Sequence, residues 1–438
     1  MRRARPAEKA LPRHGPTPSR LTLALLCALS AGAYGNPAGL SVVSGQASVT
    51  ASGKTLTVTN TPGTIINWQG FSIAPDELTR FIQQSSSSSV LNRVVGQDPS
   101  RVLGRLQSNG RVFLINPNGI VFGAGARIDV GGLVASTLDL GDADFLAGRL
   151  RFTAGPGAGS LSQLGAITTP SGGQVVLIAP RIENSGVITT PQGEIVLAAD
   201  RSIHLADSAN PELRVTIEAQ PGEVVNLGQL IAQGGRIGIH AGLIRHDGTI
   251  SASRAELGAG GEVLLKASQE IALGQDSVTS ASGTTGGRID LDAGQGSVLA
   301  SGHIEARGSA GSGGSIRLLG ERVDVPNARI DASGARGGGE ILVGGDYQGG
   351  NAAIRNASST TVGVDATLHA DASTDGYGGK VIGGRRGCTG HRPRAETANR
   401  PARREHTSPT SAVSNSRRSR RPVRPRCPLL VRALRQRC

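Results

Sequence analysis

Between residues 172 and 382 the chain repeats one short pattern: one or two glycines, a polar residue, then apolar residues at alternate positions. It reads Gly172-Gly-Gln-Val-Val-Leu177 and Gly193-Glu-Ile-Val-Leu197. It returns as Gly234-Gly-Arg-Ile-Gly-Ile239, Gly260-Gly-Glu-Val-Leu-Leu265 and Gly286-Gly-Arg-Ile-Asp-Leu291. Gly313-Gly-Ser-Ile-Arg-Leu318, Gly337-Gly-Gly-Glu-Ile-Leu-Val343 and Gly378-Gly-Lys-Val-Ile382 continue it. From Gly235 to Gly339 successive units are 26, 26, 27 and 25 residues apart. Between them lie second alternating runs, Gly248–Ala252, Gly302–Ala306 and Ala328–Ala332. Alternation with a period of two marks half-buried strands, and glycine clusters supply corners. Short strands and corners at this spacing predict an all-β fold, a right-handed parallel β-helix, with inward Val, Ile, Leu and Ala as one narrow core. A propeller is the competing architecture, but its blades need about 40–50 residues. Coils stacked about 4.8 Å apart, about 15 of them, would make a rod some 70 Å long.

Composition fits this reading. Glycine supplies 64 of 438 residues and aromatics only 2%, which disfavours long helices. All six phenylalanines and Trp68 fall between 68 and 152, so a bulkier N-terminal capping region is expected over the open end of the solenoid.

Charge divides the chain. Residues 1–20 carry six basic side chains and one acidic; residues 385–438 carry sixteen Arg and two Glu; residues 36–384 hold 24 basic and 30 acidic, a net of −6. The overall +13 therefore says nothing about the body, and nucleic acid is not an expected partner. All four cysteines lie outside 36–384. That stretch can form no disulfide, no thiolate metal site and no cysteine nucleophile.

Residues 1–35 read as a signal peptide. Six basic residues precede the apolar run Leu21–Leu29, and small residues follow it. A buried core helix is the ordinary alternative. At Arg385 the strand pattern stops, and residues 385–438 are Arg-rich, Lys-free and Pro-bearing. A basic disordered tail is one reading; out-of-frame translation beyond codon 382 is the preferred one. Disordered ends are expected on either.

The central segment carries the specific signal. Two apolar runs flank Asn116-Pro117-Asn118-Gly119-Ile120. Pro117 presets φ for a tight turn, and Asn116 can accept hydrogen bonds from the backbone ahead of it. Ser85–Ser89 with Val90–Val95 lies before this motif, and Gly131-Gly-Leu-Val-Ala-Ser-Thr137 follows it. In order, spacing and flanks, residues 71–140 resemble the secretion domain of two-partner secretion exoproteins, the filamentous haemagglutinin-like family. Gln84 departs from the pattern, where a proline is expected, and a second Asn-Pro-Asn-Leu motif is absent. The resemblance divides the body into a secretion-domain core with its cap over 36–160 and β-helix repeats over 161–384.

The resemblance implies a secreted or surface exoprotein of the haemagglutinin or adhesin type, travelling through the periplasm. Its implied partner is an outer-membrane β-barrel transporter with periplasmic docking modules. Asn116, Pro117, Asn118, Gly119 and Ile120 are the implied secretion motif, and they either contact that partner or shape the fold. An adhesive end use adds a host-cell receptor or glycan. A contact-dependent inhibition stalk or a haemolysin would use the same front end.

No catalytic, cofactor or metal site is expected. A β-helical polysaccharide enzyme would need paired carboxylates. Asp139, Asp142 and Asp144 follow a strand with no His or Lys nearby, and Asp290 and Asp292 read as solvated charge on an outward face. His204, His240, His246 and His303 are scattered, with surface or corner positions expected for each.

Overall fold

The computed structural model describes residues 35–205, 215–217, 222–255 and 257–384. Apart from Gly35, the leader and the basic tail lie outside the described residues. The body is a parallel β-helix with three faces. The first face runs from Thr55–Asn60 to Thr367–His369, eleven successive parallel pairings joining twelve strands. The second runs from Thr64–Trp68 to Lys380–Gly383, again through eleven pairings. The glycine-led repeats all feed this second face, and the intervening short runs feed the first. The third face holds strands such as Ile120–Phe122, Arg181–Asn184 and Arg322–Val325. Inward Val, Ile, Leu and Ala of all three faces join in one cluster from Leu56 to Ala370.

Twelve rungs at about 4.8 Å make a stack of roughly 50 Å, shorter than the rod expected from the repeats. The missing length goes into chain that leaves the ladder. Ser41–Ser44 and Ala47–Ser52 turn back antiparallel on Thr64–Trp68 and Thr55–Asn60, closing the N-terminal end. Further on, the chain leaves the second face after Ser136 and after Ala198, and joins the third at Leu161 and at Glu223.

Those two excursions build a second layer. Asp139–Leu140, Leu150–Thr153, Ser202–Leu205 and Val215–Ile217 form a separate antiparallel sheet, with a short helix Asp142–Leu146 beside it. The layer covers the outer side of the second face, where Ile65, Leu91, Phe113, Val134, Val176 and Val196 stack in register on successive rungs. They pack with Phe145, Phe152, Ile203 and Leu205 into a second core. Strands buried on both sides read as continuous apolar runs, hence Val112-Phe-Leu-Ile115 and Val175-Val-Leu-Ile178.

The phenylalanines are therefore divided. Phe71, Phe81 and Phe122 fill the main core; Phe71 stacks on Phe81 and meets Trp68 edge-on near the N-terminal end. Phe113, on the second face, packs with Phe145 and Phe152 of the added layer in the second core, so the bulky segment does more than cap the solenoid.

One inward column is polar. Gln163, Asn184, Asn226 and His246 stack in register at the end of the third face, all fully buried. Asn184 Nδ2 donates to Asn226 Oδ1 at 2.7 Å, and Asn226 Nδ2 lies 3.0 Å from His246 Nδ1. His246 Nε2 lies 3.2 Å from the Val278 carbonyl. A neutral ring protonated on Nε2 satisfies both contacts.

Candidate functional site

The Asn116–Ile120 segment joins the second face to the third. Strand Arg105–Ile115 ends on the second face, the chain turns, and Ile120–Phe122 begins the third. The Gly119 N–H donates to the Asn116 carbonyl at 3.1 Å, closing the turn that the proline and asparagines predict. Gly119 holds φ at +119°, a region that side-chain-bearing residues rarely adopt.

Asn116 is completely buried, and both ends of its amide are engaged. Nδ2 donates to the Asp98 carbonyl and to Ser100 Oγ, each at 3.0 Å. Oδ1 accepts from the Asn118 N–H at 3.0 Å and from Asn118 Nδ2 at 3.1 Å. Asn118 is exposed as a residue, yet its Nδ2 also donates to the Gly96 carbonyl at 2.9 Å. The turn is thus tied to the preceding coil through Gly96, Asp98 and Ser100.

It is tied to the following coil as well. The Asn116 N–H donates to the Ser136 carbonyl at 2.9 Å. The Gly159 N–H donates to the Pro117 carbonyl at 2.7 Å, and the Ile120 N–H to the Ser160 carbonyl at 3.1 Å. Thr137 Oγ1 donates to the Gly159 carbonyl at 2.9 Å. Residues 159–160 are where the chain returns from its first excursion, so the turn is the seat on which that return lands. A Cβ on Gly159 would stand 2.7 Å from the Asn118 carbonyl oxygen, and backbone cannot move aside cheaply there.

The other quoted stretches fall around this turn. Ser136, from the Gly131–Thr137 stretch, touches it directly and Thr137 reaches it through Gly159; Gly131 itself sits at a bulge in the pairing with Arg105–Ile115. Ser85–Ser88 form a corner held by hydroxyl contacts among Ser85, Ser87 and Ser88, and Ser89 opens the next strand. Val90–Val94 contributes Asn92, which is buried and accepts from Trp68 Nε1 at 3.0 Å. Sequence reasoning missed Gly96, Asp98, Ser100 and Gly159. Only the glycine-rich run 154–160 offered a signal, and it did not point to Asn116.

The residues weighed for catalysis are structurally accounted for. Asp139 and Asp142 both pair with Arg93, which reaches across from the second face, and Asp144 pairs with Arg149. Asp290 is not solvated as expected; it is largely buried and paired with Arg288. His240 and His246 are also buried rather than at the surface. Burial, with Lys266 nearby adding to it, lowers the His240 pKa to about 4, and burial lowers that of His246 too. Among the described residues no cluster of three or more His, Cys, Asp or Glu is placed to hold a metal ion, and no helix is long and apolar enough to cross a membrane.

A family profile described as the TPS secretion domain matches residues 33–318, more than half of the chain. The chain belongs to that family. Its members are two-partner secretion exoproteins, secreted across the outer membrane with a cognate outer-membrane transporter. The HMW1 secretion domain from Haemophilus influenzae superposes with a TM-score of 0.60 and 31% identity, covering 77% of this chain and 84% of that one. Two heme/hemopexin-binding proteins of Haemophilus influenzae match over 105 residues at 43% identity and over 75 residues at 41%. The shared segments are 24% and 17% of this TPS chain, but only 12% and 8% of those proteins. The ligand in their names belongs to proteins that are mostly outside the match.

Proposed function

We propose that this TPS chain is exported through a dedicated outer-membrane β-barrel partner with periplasmic docking modules and ends outside the cell or on its surface as an adhesin-like rod. The family match over 33–318, continuous with the stacked coils, carries this reading. A host-cell receptor or glycan is the partner proposed for the finished rod. Residues 36–384 hold no cysteine, so no disulfide can lock this stretch before it crosses a narrow pore. Each coil that stacks outside buries apolar side chains and opposes sliding back.

Within this scheme Asn116 acts by shaping the coil. Its amide has no donor or acceptor left for a partner, since all its contacts are internal. Asn118 and the half-buried Pro117 are the motif residues within reach of another molecule. The test is co-expression of the chain with the neighbouring transporter gene, assaying the medium for wild type, Asn116→Ala and Pro117→Ala, with denaturation of each purified chain in parallel. Asn116→Ala should lose about 1–3 kcal/mol, because buried groups are left unpaired, and secretion should fall with it. Lost secretion at wild-type stability would instead assign Asn116 to partner contact. Absence of wild-type chain from both the medium and the cell surface would sink the export reading itself.

A further inference from the structure

Charge is unevenly spread along the rod. Residues 36–131 carry seven basic side chains (Lys54, Arg80, Arg93, Arg101, Arg105, Arg111 and Arg127) and four acidic (Asp76, Glu77, Asp98 and Asp129), a net of +3. Residues 132–384 carry the other 17 basic and 26 acidic, a net of −9. The front is therefore cationic and the rest of the body acidic.

On the first face the front charge is concentrated. Arg105 and Arg127 are register partners on adjacent parallel strands, both exposed. Adjacent strands lie about 4.8 Å apart, and like charges directly opposite one another repel. On the second face, by contrast, Arg236, Glu262 and Arg288 stack with alternating sign. Among the described residues, neither Arg105 nor Arg127 has an ion pair or side-chain hydrogen bond. Asp129, two residues along the strand from Arg127, is exposed and makes no ion pair with it. Arg80 completes the patch one rung earlier, held in place by Gln107 Oε1 at 3.1 and 3.3 Å.

The rungs in front of the arginines are uncharged and rich in hydroxyls. Ser48, Thr50 and Ser52 pair with Thr59, Thr57 and Thr55 on this face, and no charged residue occurs from 36 to 53. Ile82, 45% exposed, protrudes beside Arg80. A flat sheet with two unpaired guanidinium groups at strand spacing, bordered by hydroxyl donors, suits phosphate oxygens presented in a plane.

We infer that the front of the first face is a docking surface for the phosphate headgroups of an anionic membrane. The acidic residues 132–384 are repelled by the same surface, so among the coils it is the front ones that attach. This goes beyond the export reading and does not depend on it.

The test is co-sedimentation of the full chain with vesicles of phosphatidylcholine, with and without phosphatidylglycerol, over a range of salt. Binding should require phosphatidylglycerol and weaken as salt rises. Arg105→Gln with Arg127→Gln should weaken it about tenfold or more, since each basic group near such a surface contributes about fivefold. Arg329→Gln with Arg336→Gln, exposed on distal coils, removes the same charge and should change binding less than about twofold. Residues 385–438 carry sixteen arginines in every variant; a double variant that binds vesicles as tightly as the wild-type chain would mean that this segment and not the front face holds them, and would overturn the proposal. Equal losses from the front and distal pairs would overturn the proposal. So would a soluble polyphosphate that binds through Arg105 and Arg127 while vesicles do not. Should the double variant lose its β-sheet circular dichroism, Arg127→Glu is read instead, and unchanged binding there overturns the proposal equally.

Discussion

The front and back halves of the rod wear the second face differently. Up to Val196 and Ala198 its outer side is apolar and covered by the added layer. One rung later the same rows hold Gly238 and His240, then Leu264 and Lys266, then Asp290 and Asp292. The inward residues barely change across this boundary: Ile195 and Leu197 are followed by Ile237 and Ile239, then Val263 and Leu265. One inward pattern thus serves both halves, and the outward pattern decides whether a second layer forms. Where no layer forms, charged side chains take over, with Arg236 between Glu194 and Glu262, and Glu262 between Arg236 and Arg288.

The largest expected effect comes from forcing the back pattern onto the front. Val176→Asp places a carboxylate in the second core, and Leu264→Asp places one in the same outward row on a bare rung. Urea denaturation should show Val176→Asp losing about 4 kcal/mol or more, and Leu264→Asp, which lies opposite Asp290, only about 1–2 kcal/mol. Similar costs would mean that the added layer is not a buried core.

The boundary itself should respond to pH. Burial holds the His240 pKa at about 4, against 6.5 for an unburied ring. The unfolded chain therefore binds the proton more readily, and stability falls as pH drops from about 6.5 toward 4, with no contribution above that window. His246, also lowered by burial, adds in the same direction. His240→Gln should flatten the pH dependence by up to about 3 kcal/mol between pH 7 and 4. An unchanged slope would show that this ring is not the group responsible. The smallest effect belongs to the bare face. Glu262→Gln removes partners of Arg236 and Arg288 that are half exposed, and should cost less than about 1 kcal/mol in the same denaturation series.

What the sequence reveals follows the same division. Faces one and two were legible because glycine corners bracket alternating strands, as in Gly260–Leu265. Strands of the third face are less regular: Arg181–Asn184 follows a proline and Arg322–Val325 a glutamate, so they merge with the corners. The added layer was hidden for a different reason: its own strands are as short as Asp139–Leu140, and its clearest trace lies in its support. The unbroken apolar run Val175–Ile178 needs cover on both sides. The motif Asn116–Ile120 could be recognised as a turn, but Gly159 could not be assigned to it, because their contact depends on where a 24-residue excursion lands. His240 looked superficial because it holds an outward position on an alternating strand, and nothing near it in sequence announces that it is buried one rung beyond Ala198.

The buried column of Gln163, Asn184, Asn226 and His246 bears on how such a rod can change over evolutionary time. Asn184, Asn226 and His246 are linked rung to rung by side-chain hydrogen bonds, while Gln163 bonds to the backbone of Gly165 and Val187, so replacing Asn226 by an aliphatic residue would orphan groups on both neighbouring rungs. Corner loops are free to lengthen, but a coil gained or lost in this stretch must bring its own polar member, in step, or leave a gap in the chain of donors and acceptors. The column therefore acts as a tally that admits whole turns and rejects fractions of one.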